Sequence, residues 1–337
     1  MSRIYCDVSG GDNAPSEMVR GALEVLRRNA GLHLILGGDQ AAIEPLLADA
    51  GDVMNRIDID HCSQTITNHD APALAVRRMK DSAIVKGMLA VKDGEADGFV
   101  SCGSTGAVLM AGILRLQRIE GIDRPAIAPL IPNGRDYFLL IDSGANVDCM
   151  PEYLVQFALM GEEYMRLVRG IEHPRVGLIN IGTEAEKGNA LAKATYPLLE
   201  KAIPNFVGNV EARDITQDQA DVLVCDGFTG NVILKFMEGV AVTLLKLIKK
   251  ELLSDTLSKI GALLAKPAFK RVKKSFDYRE VGGAPLLGVN GAVVKAHGSS
   301  DARAFSRAIE QCILMHEKDV AGQIAQNIKP ILQEVPQ

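Results

Sequence analysis

Apolar positions along this chain fall into two alternating rhythms. Six short, nearly continuous apolar runs (residues 4–6, 32–36, 98–102, 138–141, 176–181 and 222–225) have the length and unbroken character of parallel strands covered on both faces. Between and after them, apolar residues recur at helical spacing over 73–91, 105–117, 152–168, 190–203, 232–250 and 302–324. Strand runs alternating with helical patterns predict an α/β fold, a doubly wound and mostly parallel Rossmann-like sheet. No internal repeat or low-complexity linker interrupts the 337 residues, so 1–337 is read as a single α/β domain.

Most of the strand runs end in a glycine-rich turn that opens a helical pattern. Five such turns stand out: Gly103-Ser104-Thr105-Gly106, Asp142-Ser143-Gly144-Ala145-Asn146, Gly182 through Gly188-Asn189, Asp226-Gly227-Phe228-Thr229-Gly230-Asn231, and His297-Gly298-Ser299-Ser300. Turns of this kind leave backbone N–H groups pointing out of a helix N-terminus, where they hold anions. Five at one end of a parallel sheet predict a crevice built for a phosphate-bearing substrate. No strand–GxGxxG–helix fingerprint with an acid about 20 residues on is present, which argues against a dinucleotide enzyme.

Composition narrows the classes. Trp is absent, aromatics make up 4% and the net charge is −5, so neither base stacking nor a global basic footprint for nucleic acid is expected. The six cysteines (6, 62, 102, 149, 225 and 312) are scattered, without metal-ligand spacing, as in a reduced cytoplasmic protein. The N-terminal residues lack the apolar region of a signal peptide, and the longest uncharged run, 98–114, is too short and too broken to span a bilayer.

One segment departs from this balance. Between Lys246 and Lys274 nine Lys/Arg face two acids, a local charge of +7 that leaves about −12 for the remainder by subtraction from −5. Leu253, Leu257, Ile260 and Leu264 form one apolar stripe, Pro267 is expected to interrupt the helix, and Phe269, Val272 and Phe276 form a second stripe beside Lys270, Arg271, Lys273 and Lys274. Residues 240–276 therefore read as a projecting, basic amphipathic helical hairpin. It can pack on its own core or on a dimer mate, rest on anionic lipid, or dock an acidic protein.

Seven ordered motifs carry a resemblance. They are Asp7-Val8-Ser9-Gly10-Gly11-Asp12-Asn13-Ala14-Pro15, Ser101-Cys102-Gly103-Ser104-Thr105-Gly106-Ala107, Asp142 through Cys149, Asn180-Ile181-Gly182 through Asn189, Asp226 through Asn231, Gly282-Gly283-Ala284-Pro285-Leu286-Leu287-Gly288, and Lys295 through Ser300. From residue 4 to about 320 the chain resembles the phosphate acyltransferases of bacterial phospholipid synthesis, departing from their pattern at Ser9 (usually Met) and Cys102 (usually Ala). The resemblance implies transfer of an acyl group from acyl carrier protein to inorganic phosphate, giving acyl phosphate for a downstream glycerol-3-phosphate acyltransferase. It also implies a fold similar to phosphotransacetylases and to isocitrate and isopropylmalate dehydrogenases. A homodimer and peripheral contact with an anionic membrane are implied as well, and the residues themselves call for no cofactor or metal.

Such a reaction asks little of the protein. Phosphate, with a second pKa of about 6, is itself the nucleophile, and a thiolate with a pKa of about 8.5 leaves without an obligatory general acid. The tasks are to hold phosphate beside the thioester and to stabilise the oxyanion. Lys187, at a helix start, is read as the positive charge, its alternative being a solvated lysine. Asn231 is read as an amide donor to the carbonyl, or else a plain N-cap. His297 is read as a phosphate ligand or proton carrier, or else a structural histidine. The phosphate cradle is drawn from Gly103, Ser104, Thr105, Gly106, Asn146, Gly182, Gly188, Asn189, Gly227, Gly230, Ser299 and Ser300, the hydroxyls being able to cap as well as to bind.

Asp7 and Asp12, flanking Gly10 and Gly11, together with Asp142 and Asp226, are read as loop-organising groups, with metal ligation as the alternative. Cys149 has no nearby His in sequence and is not read as a nucleophile. Val232, Ile233, Phe236 and the Pro285-Leu286-Leu287 stretch are candidates for an acyl groove, or ordinary core. Competing readings are a phosphotransacetylase using acyl-CoA, a dehydrogenase on the related fold, and an inert membrane-bound scaffold.

Overall fold

The computed structural model describes residues 1–133, 136–275 and 281–332, with the side chains of 273–275 and 329–332 outside the description. In chain order the strands are β1 (Ser2–Asp7), β2 (Leu32–Gly38), β3 (Ile57–His61), β4 (Gly98–Ser101), β5 (Ala126–Ile127), β6 (Leu130–Pro132), β7 (Tyr137–Ile141), β8 (Val176–Asn180), β9 (Phe206–Glu211), β10 (Val222–Val224), β11 (Gly283–Leu287) and β12 (Ala292–Ala296). The helices are α1 (Ser16–Arg28), α2 (Gln40–Ile43), α3 (Pro72–Arg78), α4 (Ala83–Lys92), α5 (Thr105–Ala111), α6 (Pro151–Arg169), α7 (Ala190–Ala202), α8 (Gly227–Leu252), α9 (Thr256–Ser275), α10 (Ala302–Glu317) and α11 (Val320–Leu332).

The strands divide between two sheets. One has the order β3-β2-β1-β4-β12-β11-β5 and the other β6-β7-β10-β8-β9. Parallel pairing dominates both, with β11 and β6 running antiparallel to their neighbours. A single doubly wound sheet was expected. The α/β class and the parallel pairing stand, but the division corrects the sheet count. The segment containing β5 and β6 leaves the first sheet and enters the second, and pairing order is a long-range property that local periodicity does not carry.

Alternation along each strand builds three apolar layers. Ile4, Cys6, Val100 and Val294 of the first sheet share one core cluster with Leu139, Ile141, Val176 and Val224 of the second, together with α1, α6, α10 and α11. Tyr5, Phe99 and Val293 point the other way, against α3, α4 and α5. Phe138, Leu140, Leu223 and Cys225 face Ile233, Leu234 and Met237 of α8. The sheets thus share an inner helical layer, and each has its own outer one.

Several helices differ in extent from the sequence reading. The 73–91 pattern is two helices, because Asp81 exchanges backbone and side-chain hydrogen bonds with Gln64 and draws the chain out of helical geometry. The 302–324 pattern breaks at Asp319, whose φ is +48° and whose carboxylate accepts from the N–H of Gly322. The 105–117 pattern shortens to α5 followed by a π-helical turn over Gly112–Leu116. Helix α9 passes through Pro267 rather than stopping there, with Leu253 in the turn before it. It packs on α8, and Leu257 and Leu264 are 79% and 78% exposed. The side chains of Lys273 and Lys274, and Phe276 as a whole, lie outside the described residues.

Candidate active site

Three loops meet where β1, β4 and β12 end, and these strands are adjacent and parallel. Asp7 is buried at the end of β1. Its carboxylate accepts from the Ser9 N–H (3.0 Å) and Oγ (2.8 Å) and from Ser101 Oγ (2.6 Å). Burial raises its pKa, and those donors oppose the shift. A Cβ at Gly10 would lie 2.6 Å from the Gly103 Cα, so the first loop sits directly on the second. The third loop joins through the Asp12 N–H to the Gly298 carbonyl (2.8 Å) and Asn13 Nδ2 to the Ser300 carbonyl (3.0 Å). Gly11 there has φ +103°, a conformation other residues adopt only under strain.

The second edge is formed where β7, β10 and β8 end side by side. Asp142 is fully buried. Its Oδ1 accepts from the N–H groups of Ile127 (3.1 Å), Gly144 (3.2 Å) and Ala145 (3.1 Å), and Oδ2 from Ala145 N–H (3.1 Å), Asn146 N–H (2.6 Å) and Asn146 Nδ2 (3.0 Å). Asp226 caps α8 by accepting from the Thr229 N–H at 2.9 Å. A Cβ at Gly230 would lie 1.9 Å from the Asp142 carbonyl oxygen, which leaves room for glycine alone. The Asn189 side chain caps α7 at 2.9 Å, and Asn180 Nδ2 donates to the Lys187 carbonyl at 3.1 Å.

The second edge touches the first sheet at β5. Ile127 of β5 in the first sheet donates to Asp142, and the Ser143 N–H (3.0 Å) and Oγ (3.1 Å) donate to the Ile127 carbonyl. Ala145 packs into the cluster around Tyr5 and Phe99. Electrostatics run across the same junction. Lys295, 9% exposed on β12, donates to the Ala296 carbonyl, and burial lowers its pKa. His297 is lowered by burial and then by Lys235 of α8, with Lys295 adding to the effect and Glu238 and Asp12 opposing it. The Ser299 N–H donates to His297 Nδ1 at 3.2 Å, which places the proton of the neutral ring on Nε2.

The predicted residues therefore sort by what holds them. Asp7, Asp142 and Asp226 tie their loops together, and so do the side chains of Asn146 and Asn189. Ser300 is buried and donates to the His297 carbonyl at 2.7 Å. Ser104 holds the position before α5 without a side-chain capping bond, and Thr105 and Gly106 open that helix. Gly182 and Gly188 flank the exposed Lys187, whose ammonium has no ion-pair partner among the described residues. Asn231 is not the cap of α8, since Asp226 is. It lies within the first turns beside Gly144, and its amide has no hydrogen bond among the described residues. Among these residues no group of three His, Cys, Asp or Glu is arranged to hold a metal ion. Sequence reading passed over Lys235 and Lys295. The signal for the first was its position one helical turn beyond Asn231, and for the second a lysine inside an otherwise apolar strand.

The chain matches the family model described as fatty acid synthesis protein over residues 2–323. It is 46% identical over 328 residues to a phosphate acyltransferase of Clostridium acetobutylicum, covering 97% of this chain and 99% of that one. It is 47% identical over 329 residues to a phosphate acyltransferase of Alkaliphilus oremlandii, covering 98% of each. The chain belongs to the phosphate acyltransferase family. Like the family, it is an acyltransferase. Among solved structures, a phosphotransacetylase from Streptococcus pyogenes superposes with a TM-score of 0.62 at 18% identity, covering 94% of both chains. A branched-chain phosphotransacylase from Enterococcus faecalis gives 0.59 at 14% identity, covering 94% of this chain and 99% of that one. At that identity the likeness shows that this phosphate acyltransferase family member shares their fold.

Proposed function

We propose that this acyltransferase moves an acyl group from the thioester of an acyl carrier protein to inorganic phosphate, giving an acyl phosphate for glycerol-3-phosphate acylation. The whole chain acts as one catalytic domain, a reading supported by the core cluster that both sheets share. The relatives, as phosphate acyltransferases, support phosphate and acyl transfer, and the family's tie to fatty acid synthesis supports a fatty acyl group. The observation that carries the reading is the junction of two turn-lined edges, one bearing His297 and the other bearing Asn231, whose amide has no hydrogen bond among the described residues.

A phosphate oxygen attacks the thioester carbon and forms the new C–O bond. The carbonyl becomes an oxyanion, which then expels the carrier thiolate as the C–S bond breaks, and solvent protonates the thiolate. Asn231 and Lys187 stabilise the oxyanion. His297 donates from Nε2 to the phosphate, beside the N–H groups of the Gly103–Gly106 and Gly298–Ser300 turns. No acyl-enzyme is involved: burial pushes the Cys149 thiol up to about 12, and the Cys102 thiol also to about 12, so neither is a thiolate at neutral pH.

The same reading assigns the α8–α9 region to surface contacts. Leu253, Leu257, Ile260 and Leu264 are exposed, and so are Lys270 and Arg271 further along α9, which suits peripheral contact with an anionic membrane or docking of an acidic carrier. Val232, Phe236 and Val240 form an exposed apolar row on the neighbouring α8, which suits a homodimer. No helix of the described residues is long and apolar enough to cross a membrane. The test of the reaction is hydroxylamine trapping. Hydroxamate formed only with enzyme, phosphate and long-chain acyl–carrier protein supports the reading. Faster reaction with acyl-CoA moves the donor to coenzyme A, and no hydroxamate with either donor ends the reading.

A further inference from the structure

Strand β9 carries one residue more than the stretch of β8 it pairs with. Val176 lies opposite Phe206, but Leu178 lies opposite Asn209, and Gly208 between them has a φ of +89°. This bulge decides where Asn209 points. Val176, Leu178 and Phe206 belong to the inner apolar layer, and Ile179 and Val210 to the outer one against α8. Without the extra residue Asn209 would fall opposite Ile179 and share its outer face, because a one-residue shift reverses every side chain. With it, Asn209 shares the inner face of Leu178, on the side of α7, whose Tyr196 hydroxyl is 3.4 Å from where a Gly208 Cβ would lie.

On that face Asn209, 6% exposed, donates from Nδ2 to the Glu184 carbonyl at 2.7 Å. The same carbonyl accepts from the Lys187 N–H at 3.1 Å. Beyond that lysine, Asn180, 8% exposed at the end of β8, donates from Nδ2 to the Lys187 carbonyl at 3.1 Å, and its Oδ1 accepts from the Ile181 N–H at 2.8 Å. Two buried amides on adjacent strands therefore fix the backbone on both sides of Lys187. Its stem lies along Gly182, where a Cβ would be 3.0 Å from the Lys187 Cγ. Asn209 Oδ1 is buried and has no hydrogen-bond partner among the described residues. A buried acceptor left alone costs stability, so packing does not account for an asparagine at this position.

We infer that Asn209 and Asn180 are positioning residues, which hold the 182–188 turn to the strands so that the Lys187 ammonium is already in place when the oxyanion forms. This rests on the reading of Lys187 given above. Neither asparagine touches substrate, and each acts through the peptide groups of the lysine.

The test uses Asn209→Leu, Asn180→Asp and Lys187→Met in the full-length enzyme, with each asparagine variant also made in the Lys187→Met background. Asn209→Leu keeps the volume and removes the donor together with the lone oxygen, so its melting midpoint is expected to stay or rise. Asn180→Asp keeps the acceptor for Ile181 and removes the donor to Lys187. Each is expected to lower kcat about 10- to 100-fold, the cost of a misplaced catalytic group, with the KM for phosphate unchanged. In the Lys187→Met background neither should lower kcat further, because the group they place is gone. Either variant that folds decides the matter. An unchanged kcat, or an equal loss in both backgrounds, overturns the proposal and leaves the reading of Lys187 standing. A Lys187→Met enzyme with wild-type kcat ends that reading, and the proposal falls with it. Hydrogen exchange gives a readout independent of turnover. Asn209→Leu should speed exchange across 182–188 while α7 and β8 keep their protection, and unchanged exchange in the turn refutes the tether.

Discussion

Asp142→Asn is the sharpest perturbation of the site's framework. It keeps the size of the side chain and removes one acceptor oxygen from a carboxylate that takes six hydrogen-bond contacts. Ala145 N–H reaches both oxygens and keeps a partner either way. If the amide nitrogen replaces Oδ2, the Asn146 N–H loses its acceptor and Asn146 Nδ2 keeps only the Pro125 carbonyl, and if it replaces Oδ1, the N–H groups of Ile127 and Gly144 lose theirs. Two part-buried donors that lose this acceptor at about 1–3 kcal/mol each cost about 2–6 kcal/mol. Discharging a carboxylate that burial disfavours offsets part of this, leaving a net loss of about 2–4 kcal/mol. With an unfolding entropy of about 2.1 cal/mol/K per residue over 337 residues, the midpoint should fall by about 3–6 °C in a thermal melt at pH 7, and activity should fall with it. A midpoint within about 1 °C of wild type would refute the framework role.

The pH dependence of that difference checks the sign. Asp142 ionises at a higher pH in the folded protein than in the unfolded chain. Between the two values the folded state binds more protons, so wild-type stability declines as pH rises through that window. The Asn variant lacks this decline, and the gap between the two proteins should narrow from low to high pH. A widening gap contradicts the assigned direction.

Other consequences follow from the same contacts. Gly230→Ala puts a methyl group 1.9 Å from the Asp142 carbonyl, so it should displace α8 or abolish folding, as read by circular dichroism and solubility. Lys187→Met and Asn231→Ala should each lower kcat by about 10²–10³ with unchanged melting. Equal losses in stability would mean structural roles. His297 should titrate below the ordinary histidine value in an NMR series, and Lys235→Met should move its midpoint upward, because a like charge is removed. An unmoved midpoint contradicts the placement of Lys235. Reversing Lys270 and Arg271 to Glu should weaken binding to anionic vesicles at low salt, measured by sedimentation, and unchanged binding rejects the membrane contact.

Much of this was legible in the chain. Each of the six unbroken apolar runs is a strand, because strands covered on both faces must be apolar throughout. Strand β3 was missed because its sequence, Ile-Asp-Ile-Asp-His, alternates at a sheet edge, and β11 was hidden by Gly283 and Pro285. The turns were visible from their glycines, but their assignment to two sheets was not, since it depends on which strands pair across a hundred residues or more. For Asn231, the sequence left cap and donor open, and the structure gives the cap to Asp226. For Lys235, its place one turn beyond Asn231 is the sole local mark that sets it off from the surface lysines further along α8. Its meaning comes from Lys295 and His297, some 60 residues further along the chain.

The central claim is direct attack by phosphate on a carrier-bound thioester. A single-turnover experiment tests it most directly, following free carrier thiol and acyl phosphate while intact mass reports on the enzyme. The account predicts thiol release only when phosphate is present, one acyl phosphate per thiol, and an enzyme of unchanged mass. Thiol released without phosphate, with the acyl group left on the protein, would contradict it.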